Sequence, residues 1–187
     1  MIVFALFLPF CSASSEEAKL KLPFYDWGAC PFECCTYRNW ETNKPVIVRD
    51  KPSGTANELF RIPTHQPVLG ITGVVITTKP GVSKIVKPVQ LGYSKDGKGP
   101  LLSLLPGEAI YTLHYLGEGY ELFWYEGHTY SDQSNVSEQA YGDVPFEGTV
   151  KVESRPETTW WVKIKDKKGR KGWSEESDGF DNMDACG

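Results

Sequence analysis

Three of the five cysteines in this 187-residue chain lie in one short stretch, GACPFECCTYRNW at 28–40. Cysteine sulfur can coordinate a metal, attack a substrate or form disulfides, and each use needs different companion residues. The spacing Cys30-x3-Cys34-Cys35 lacks the paired Cys-x2-4-Cys and His-x3-5-His arrangement of a structural zinc site, so we predict no metal site. Cys34 or Cys35 with His114 would supply a nucleophile and a base, and a cysteine hydrolase of this kind is the catalytic alternative.

An exported chain would use these sulfurs as disulfides. Residues 1–13, MIVFALFLPFCSA, carry no charge and are mostly apolar, but the run is shorter than the about 20 residues that span a bilayer. It matches the apolar core and small-residue exit of a secretory signal, although no Lys or Arg precedes it. Removal of 1–13 eliminates Cys11 and leaves four cysteines, an even number that predicts two bridges with three possible connectivities.

The spacing of the four cysteines favours one connectivity narrowly. Pairing the adjacent Cys34 and Cys35 would strain the peptide between them, so one of the two must reach Cys186 near the C-terminus. If the turn at Pro31 is helical, Cys30 and Cys34 lie about 6–7 Å apart. Our first choice is therefore Cys30–Cys34 with Cys35–Cys186, and the exchange of Cys34 and Cys35 between the two bridges stays open.

The elements around this segment are predicted to be short β-strands. The chain contains 18 glycines and 13 prolines, aromatic residues make up 13%, and sustained helical periodicity is nearly absent. Apolar runs such as PVIVR (45–49), GVVITT (73–78) and WWVKIK (160–165) are separated by Pro-Gly and Gly-rich turns. This pattern is typical of all-β barrels or sandwiches.

Charge and hydropathy restrict the partners. The formal net charge of −4 argues against a general nucleic-acid binder, which needs a basic surface. Beyond the signal, no apolar run is long enough to span a membrane, and we expect none in the mature chain. We predict no cofactor.

Two segments resemble bacterial SH3-like domains. VIVRDKPSG (46–54) is similar to their opening strand and turn, and TWWVKIKDKKGRKGWS (159–174) to their closing hairpin. LLPGEAIYTLHYLGEGYELFWYEG (104–127) resembles the middle of such a domain. The resemblance implies an exported protein of small SH3-like β-barrels, without catalysis by the module, that binds cell-wall peptides or acts as a spacer.

We therefore divide the chain into four parts. These are a signal peptide (1–13), a Cys-rich segment tied by disulfides (14–40), a possible first SH3-like domain (41–95), and a second SH3-like domain (100–187) with an insertion at 128–158. The two barrels would lie in tandem. The compartment is predicted to be periplasmic or extracellular.

Strand parity in the closing hairpin suggests a binding surface. Trp160, Val162 and Ile164 should share the core face, which places Trp161 on the outer face with Lys163 and Lys165. The insertion could cover Trp161; otherwise Trp161 with Tyr125 or Tyr115 forms an aromatic shelf for a peptide or sugar. The cations would then meet an acidic polymer, unless the acidic tail 175–187 neutralises them.

The resulting function is non-enzymatic: a cell-envelope binding or spacer module that recognises peptidoglycan or an extended peptide of an envelope protein. The alternatives are an envelope hydrolase or hydrolase inhibitor that uses Cys34 or Cys35, and a structural subunit of an envelope assembly. The predicted ligand-binding residues are Trp161, Tyr125, Tyr115, Lys163 and Lys165, and the predicted disulfide residues are Cys30, Cys34, Cys35 and Cys186.

Overall fold

The computed structural model describes residues 19–94, 102–132, 148–175 and 177–186. The signal sequence predicted for 1–13 and the middle of the predicted insertion lie outside these residues. The described chain is all-β, which confirms the predicted fold class, and its one helical element is the 3₁₀ turn Ser177–Gly179. No helix among the described residues is long and apolar enough to cross a membrane.

Sixteen strands follow one another along the described chain. They are β1 (Phe24–Trp27), β2 (Asn39–Thr42), β3 (Val46–Arg49), β4 (Glu58–Ile62), β5 (Pro67–Lys79), β6 (Gly81–Ile85), β7 (Val89–Leu91), β8 (Tyr93–Ser94), β9 (Leu102–Leu104), β10 (Ala109–Gly117), β11 (Tyr120–Tyr125), β12 (His128–Asp132), β13 (Val150–Ser154), β14 (Glu157–Asp166), β15 (Lys171–Ser174) and β16 (Phe180–Asp181).

Eight strands form one sheet, which we call the outer sheet, and it draws on both ends of the described chain. Its order is β16-β2-β5-β14-β15-β3-β4, and β1 pairs with the far end of β5. The sheet curls around its own apolar core, in which Trp40, Val46 and Ile164 are buried. Gly70 permits this packing, because a Cβ at that position would lie 2.7 Å from the Trp40 ring.

Six strands form a second sheet, the inner sheet, which comes entirely from the middle of the chain. Its order is β13-β6-β10-β11-β12-β8. The β10–β11 hairpin turns through Glu118 and Gly119, between the paired residues Gly117 and Tyr120. A separate pair, β7 and β9, adds Leu91 and Leu104 to the core beneath this sheet, which also contains Ile110 and Phe123.

Buried polar contacts join the two sheets where β1 and β5 meet β10. The Thr77 hydroxyl donates to the Leu113 carbonyl at 2.9 Å. His114 Nε2 lies 3.0 Å from Asp26 Oδ2, and both side chains are at most 5% exposed. His114 Nδ1 donates to the Tyr115 carbonyl at 2.7 Å, because that oxygen can only accept. This junction therefore fixes the inner sheet against the outer one.

The tandem-barrel division is not confirmed by these sheets. β5 lies in the predicted first domain and β14 in the predicted second, yet the two are antiparallel neighbours from Val68 to Lys79 in one sheet. The segment 128–158, predicted as an insertion, contributes β12 and β13 to the inner sheet. Strand signals give the order of strands but not the pairing of distant ones, so the division into two barrels stays a prediction.

All four expected cysteines form disulfides, but the preferred connectivity was wrong. The structure pairs Cys30 with Cys35 and Cys34 with Cys186, at Cα separations of 5.5 and 5.7 Å. The segment forms a turn rather than a helix, and Cys34 adopts a left-handed φ of 56°. The helical spacing assumed for Cys30 and Cys34 therefore does not apply.

The disulfide-bonded turn holds the C-terminal tail. The Ala185 amide donates to the Cys34 carbonyl at 2.8 Å, and the Thr36 amide donates to the Met183 carbonyl at 2.9 Å. The Phe32 ring packs edge-on against Trp160 with centroids 5.6 Å apart. The Cys-rich segment is thus part of the fold, and it contacts β14 as well as the tail.

Candidate ligand-binding surfaces

Trp161, the centre of the predicted aromatic shelf, is buried. It is 3% exposed and packs with Val74, Ile76 and Trp173 in a small apolar cluster. The parity prediction was correct for Val162 and Ile164, which lie in the main core. The aromatic shelf required the other face of β14 to be open at Trp161, and there the side chain is buried. Trp161 is paired with Val74 of β5, which is paired in turn with Trp27 of β1, so a further strand extends this face.

The exposed aromatic side chains on this face belong to β1 instead. Tyr25 and Trp27 are 43% and 60% exposed, and they alternate with Phe24 and Asp26, which point to the other face. The two rings are nearly parallel, at 9°, with centroids 5.9 Å apart. Trp27 also meets Trp173 edge-on at 5.8 Å. We call Tyr25 and Trp27 the aromatic ridge.

A cation lies beside this ridge. Lys163 Nζ is 5.5 Å from the centre of the Trp173 ring, which itself contacts Trp27. Lys165 follows two residues later on the same strand and is paired with Lys171 of β15. Of the predicted basic residues, Lys163 thus lies beside an aromatic surface, and that surface contains Trp27 rather than Trp161.

The acidic tail has other partners than the basic hairpin. Asp178 forms an ion pair with Lys44 at 2.8 Å, and Asp181 accepts a hydrogen bond from Asn43 at 2.9 Å. Arg170 is bound within its own hairpin, 2.7 Å from Asp166 and 4.0 Å from the centre of the Phe60 ring. The simpler of the two sequence interpretations was that the tail neutralises the hairpin. In the contacts above, the tail binds residues outside the hairpin.

Asp166 organises the hairpin turn. Its Oδ1 accepts hydrogen bonds from the amides of Lys168 and Arg170, each at 2.9 Å. Burial alone would raise the pKa of Asp166, but the Arg170 side chain, those two amides and the Arg170 charge together lower it. The carboxylate is therefore held as an anion at the end of the basic hairpin.

The other predicted aromatic residues are not brought together with Trp161. Tyr115 lines a small cavity of about 260 Å³ with Trp160, Pro31 and Arg155. Tyr125 lines a different and larger cavity of about 560 Å³. Sequence reasoning proposed one shelf, whereas the structure separates its members into a core, a small cavity and a large one.

Among the described residues, one group has side chains of the kind that bind metals. It consists of Cys34, Asp184 and Cys186, whose potential ligand atoms lie within 4.8 Å of one another. The two sulfurs are bonded to each other, so neither is a thiolate. Cys35, the second nucleophile candidate, is bonded to Cys30. His114 faces Asp26 in the junction between the sheets and not a cysteine.

Sequence reasoning missed Tyr25 and Trp27 because it assigned 14–40 to a Cys-rich segment and sought no strand there. The available signal was the alternation in FYDW, which directs two aromatic side chains to one face.

Comparison with known proteins adds no relative: no family model, curated protein or solved structure matches this chain.

Proposed function

We propose that this protein is an exported, non-enzymatic binding module that recognises peptidoglycan through the aromatic ridge. The observation that carries the proposal is the exposure of Trp27, which is 60% accessible on a strand of the outer sheet. Large aromatic rings held rigidly at a surface offer much contact area at a low cost in conformational entropy, and they dominate binding energies. The apolar faces of sugar rings and peptide side chains both suit such a surface.

The support under the ridge favours a binding role. Val74 and Ile76 of β5 pair with β1 and are buried in one cluster with Trp161 of β14, which keeps this part of the sheet rigid. A preorganised surface loses little freedom when a ligand binds, so more of the contact energy appears as affinity. The ridge is therefore ordered before its ligand arrives.

Charge complementarity favours a ligand with carboxylates. Lys163 and Lys165 lie on the strand that carries Trp161, and Lys163 approaches Trp173 beside the ridge. The peptide stems of peptidoglycan carry carboxylates, which these ammonium groups would attract. Because exposed charges are screened by salt, this part of the affinity should fall as ionic strength rises.

The disulfides support export to the periplasm or the cell exterior. Bridges of this kind persist in oxidising compartments and are rare in the cytosol. They also bear on the hydrolase alternative, because Cys34 and Cys35 would need reduction before either could act as a nucleophile. Thiol titration of the native protein tests that alternative: reaction with an alkylating reagent would favour it.

Co-sedimentation with purified sacculi tests the proposed ligand. Wild-type protein should pellet with sacculi, and Trp27→Ala should weaken the apparent affinity about tenfold, the effect of losing one good aromatic anchor. The stability of Trp27→Ala should change by less than about 1 kcal/mol, because the side chain is largely exposed. Trp161→Ala should instead lose about 4 kcal/mol of stability through the cavity that it creates.

Tyr120→Ala is the matched control, because Tyr120 is a 39% exposed aromatic residue on the inner sheet, away from the ridge. It should pellet as the wild type does. Absence of wild-type pelleting at low salt would refute peptidoglycan as the ligand. Equal affinity of Trp27→Ala and the wild type would refute the ridge as the site.

A further inference from the structure

The larger cavity is a second concave site, separate from the aromatic ridge. Its volume of about 560 Å³ falls within the about 300–1,000 Å³ typical of small-molecule sites. One wall comes from β10 and β11 of the inner sheet, and another from Leu20 and Leu22, which precede β1. The cavity is thus built where the segment leading into the outer sheet crosses the inner sheet.

The wall from the inner sheet is aromatic. Tyr111 and Trp124 are opposite each other on β10 and β11, and their rings meet edge-on with centroids 5.7 Å apart. Tyr125 adds a third aromatic ring to the lining. Aromatic faces carry a negative electrostatic potential, so a group of them favours a positively charged ligand.

Two carboxylates line the same cavity, at Glu108 and Glu126. The Tyr125 hydroxyl donates to Glu108 Oε1 at 2.5 Å, and the Leu105 amide donates to the other oxygen of that carboxylate. These two hydrogen bonds, the amide first, lower the pKa of Glu108 and keep it ionised at neutral pH. The hydrogen bond to Glu108, burial and the charge of Glu126 raise the pKa of Tyr125, so the phenol keeps its proton.

The remaining lining is apolar apart from one cation. Leu20, Leu22 and Pro80 would contact the hydrocarbon part of a ligand, and Lys19 is the basic residue that lines the cavity. Two carboxylates against one ammonium give the lining a net negative charge. Both the aromatic wall and this charge select for cations over anions.

We propose that this cavity binds an alkylammonium ion, with the ammonium group against Tyr111, Trp124 and the two carboxylates and with its hydrocarbon against Leu20 and Leu22. Both quaternary ammonium groups and the primary amine of a lysine-like side chain have this chemistry. The aromatic rings favour the quaternary group, because its charge is weakly hydrated, whereas the carboxylates attract either cation.

Isothermal titration of the full mature chain tests the proposal with choline and its neutral isostere 3,3-dimethylbutan-1-ol. The two probes share one shape, so a difference in affinity measures the charge. Choline should bind at least about tenfold more tightly than the alcohol. n-Butylamine and tetramethylammonium, titrated in parallel, distinguish a primary amine from a quaternary ammonium group as the preferred ion.

Three variants locate the site. Trp124→Ala should weaken choline binding about tenfold, and Glu126→Gln, an exposed change that spares the fold, about threefold. Lys19→Gln removes the opposing charge and should tighten binding about twofold. Trp27→Ala, on the ridge, should leave choline binding unchanged. Equal affinities for choline and the alcohol, an absence of choline binding, or insensitivity of its binding to Glu126→Gln and Trp124→Ala would each overturn the proposal.

Discussion

The outer sheet has eight strands and the inner sheet six, and the two are assembled from different parts of the chain. The outer sheet joins strands from 24–79 with strands from 157–181, whereas the inner sheet uses only 81–154. The central contact of the outer sheet, between β5 and β14, closes a loop that contains the whole inner sheet. Of the five strand pairings in the inner sheet, two are hairpins, β10–β11 and β11–β12.

This difference explains where the disulfides lie. Closing a long loop costs conformational entropy, and a crosslink that closes it in the unfolded chain removes part of that cost. The bridge between Cys34 and Cys186 spans 152 residues and ties the tail that carries β16 to the segment before β2. Sheets assembled from distant segments thus benefit most from covalent closure, and hairpins can do without it.

The largest expected effect comes from breaking the long bridge. The double substitution Cys34→Ser with Cys186→Ser should lower the free energy of unfolding by about 5 kcal/mol, because the long loop is then unconstrained. Cys30→Ser with Cys35→Ser, which opens a loop of sequence separation 5, should cost only about 2 kcal/mol. Urea unfolding monitored by circular dichroism measures both values. Equal losses for the two double variants would contradict the loop-length explanation.

A smaller effect is expected at the junction between the sheets. Asp26→Ala removes the carboxylate that faces the buried side chain of His114, which should lower the free energy of unfolding by about 3 kcal/mol. Asp26→Asn keeps a hydrogen-bonding partner of the same shape and should cost about 1 kcal/mol. Urea unfolding monitored by circular dichroism measures both costs, and two separate transitions would show that the inner sheet unfolds independently of the outer one. If the sheets are coupled, unfolding stays a single transition.

The smallest effect concerns the hairpin turn of the outer sheet and depends on pH. The pKa of Asp166 is lower in the folded chain than its ordinary value of 3.8, so its contribution to stability is present above that value. The contribution is lost as pH falls below about 4 and through the folded pKa. Asp166→Asn should therefore lose about 1 kcal/mol at pH 7 and show less acid destabilisation than the wild type. If the stability of Asp166→Asn falls between pH 4 and pH 2 as steeply as that of the wild type, the role assigned to this carboxylate is contradicted.

The sequence predicted the features of the fold that depend on residues close together in the chain. Short apolar runs between turn residues predicted the all-β class, because strand and turn signals follow from local backbone preferences. The even number of cysteines that follow the predicted signal also predicted that all four would be bonded. The connectivity was wrong because it depended on the φ of one residue, Cys34, which local sequence does not fix.

The binding surface could not be predicted from one strand. Parity correctly separated Trp161 from Val162 and Ile164, but whether the Trp161 face is open depends on β1, which lies more than a hundred residues away in sequence. The same limit applies to the larger cavity, where Leu22 meets Trp124 only through the packing of the two sheets. The resemblance to SH3-like domains and the peptidoglycan ligand remain predictions.

The chain leaves the outer sheet and returns to it at neighbouring points. Lys79 and Glu157 are paired in register and form an ion pair at 3.1 Å, and only a few residues separate them from β6 and β13. A tight turn between these two residues would close the outer sheet alone. The inner sheet is therefore an insertion into a single connection of the outer sheet, and the strand order of the outer sheet does not depend on it.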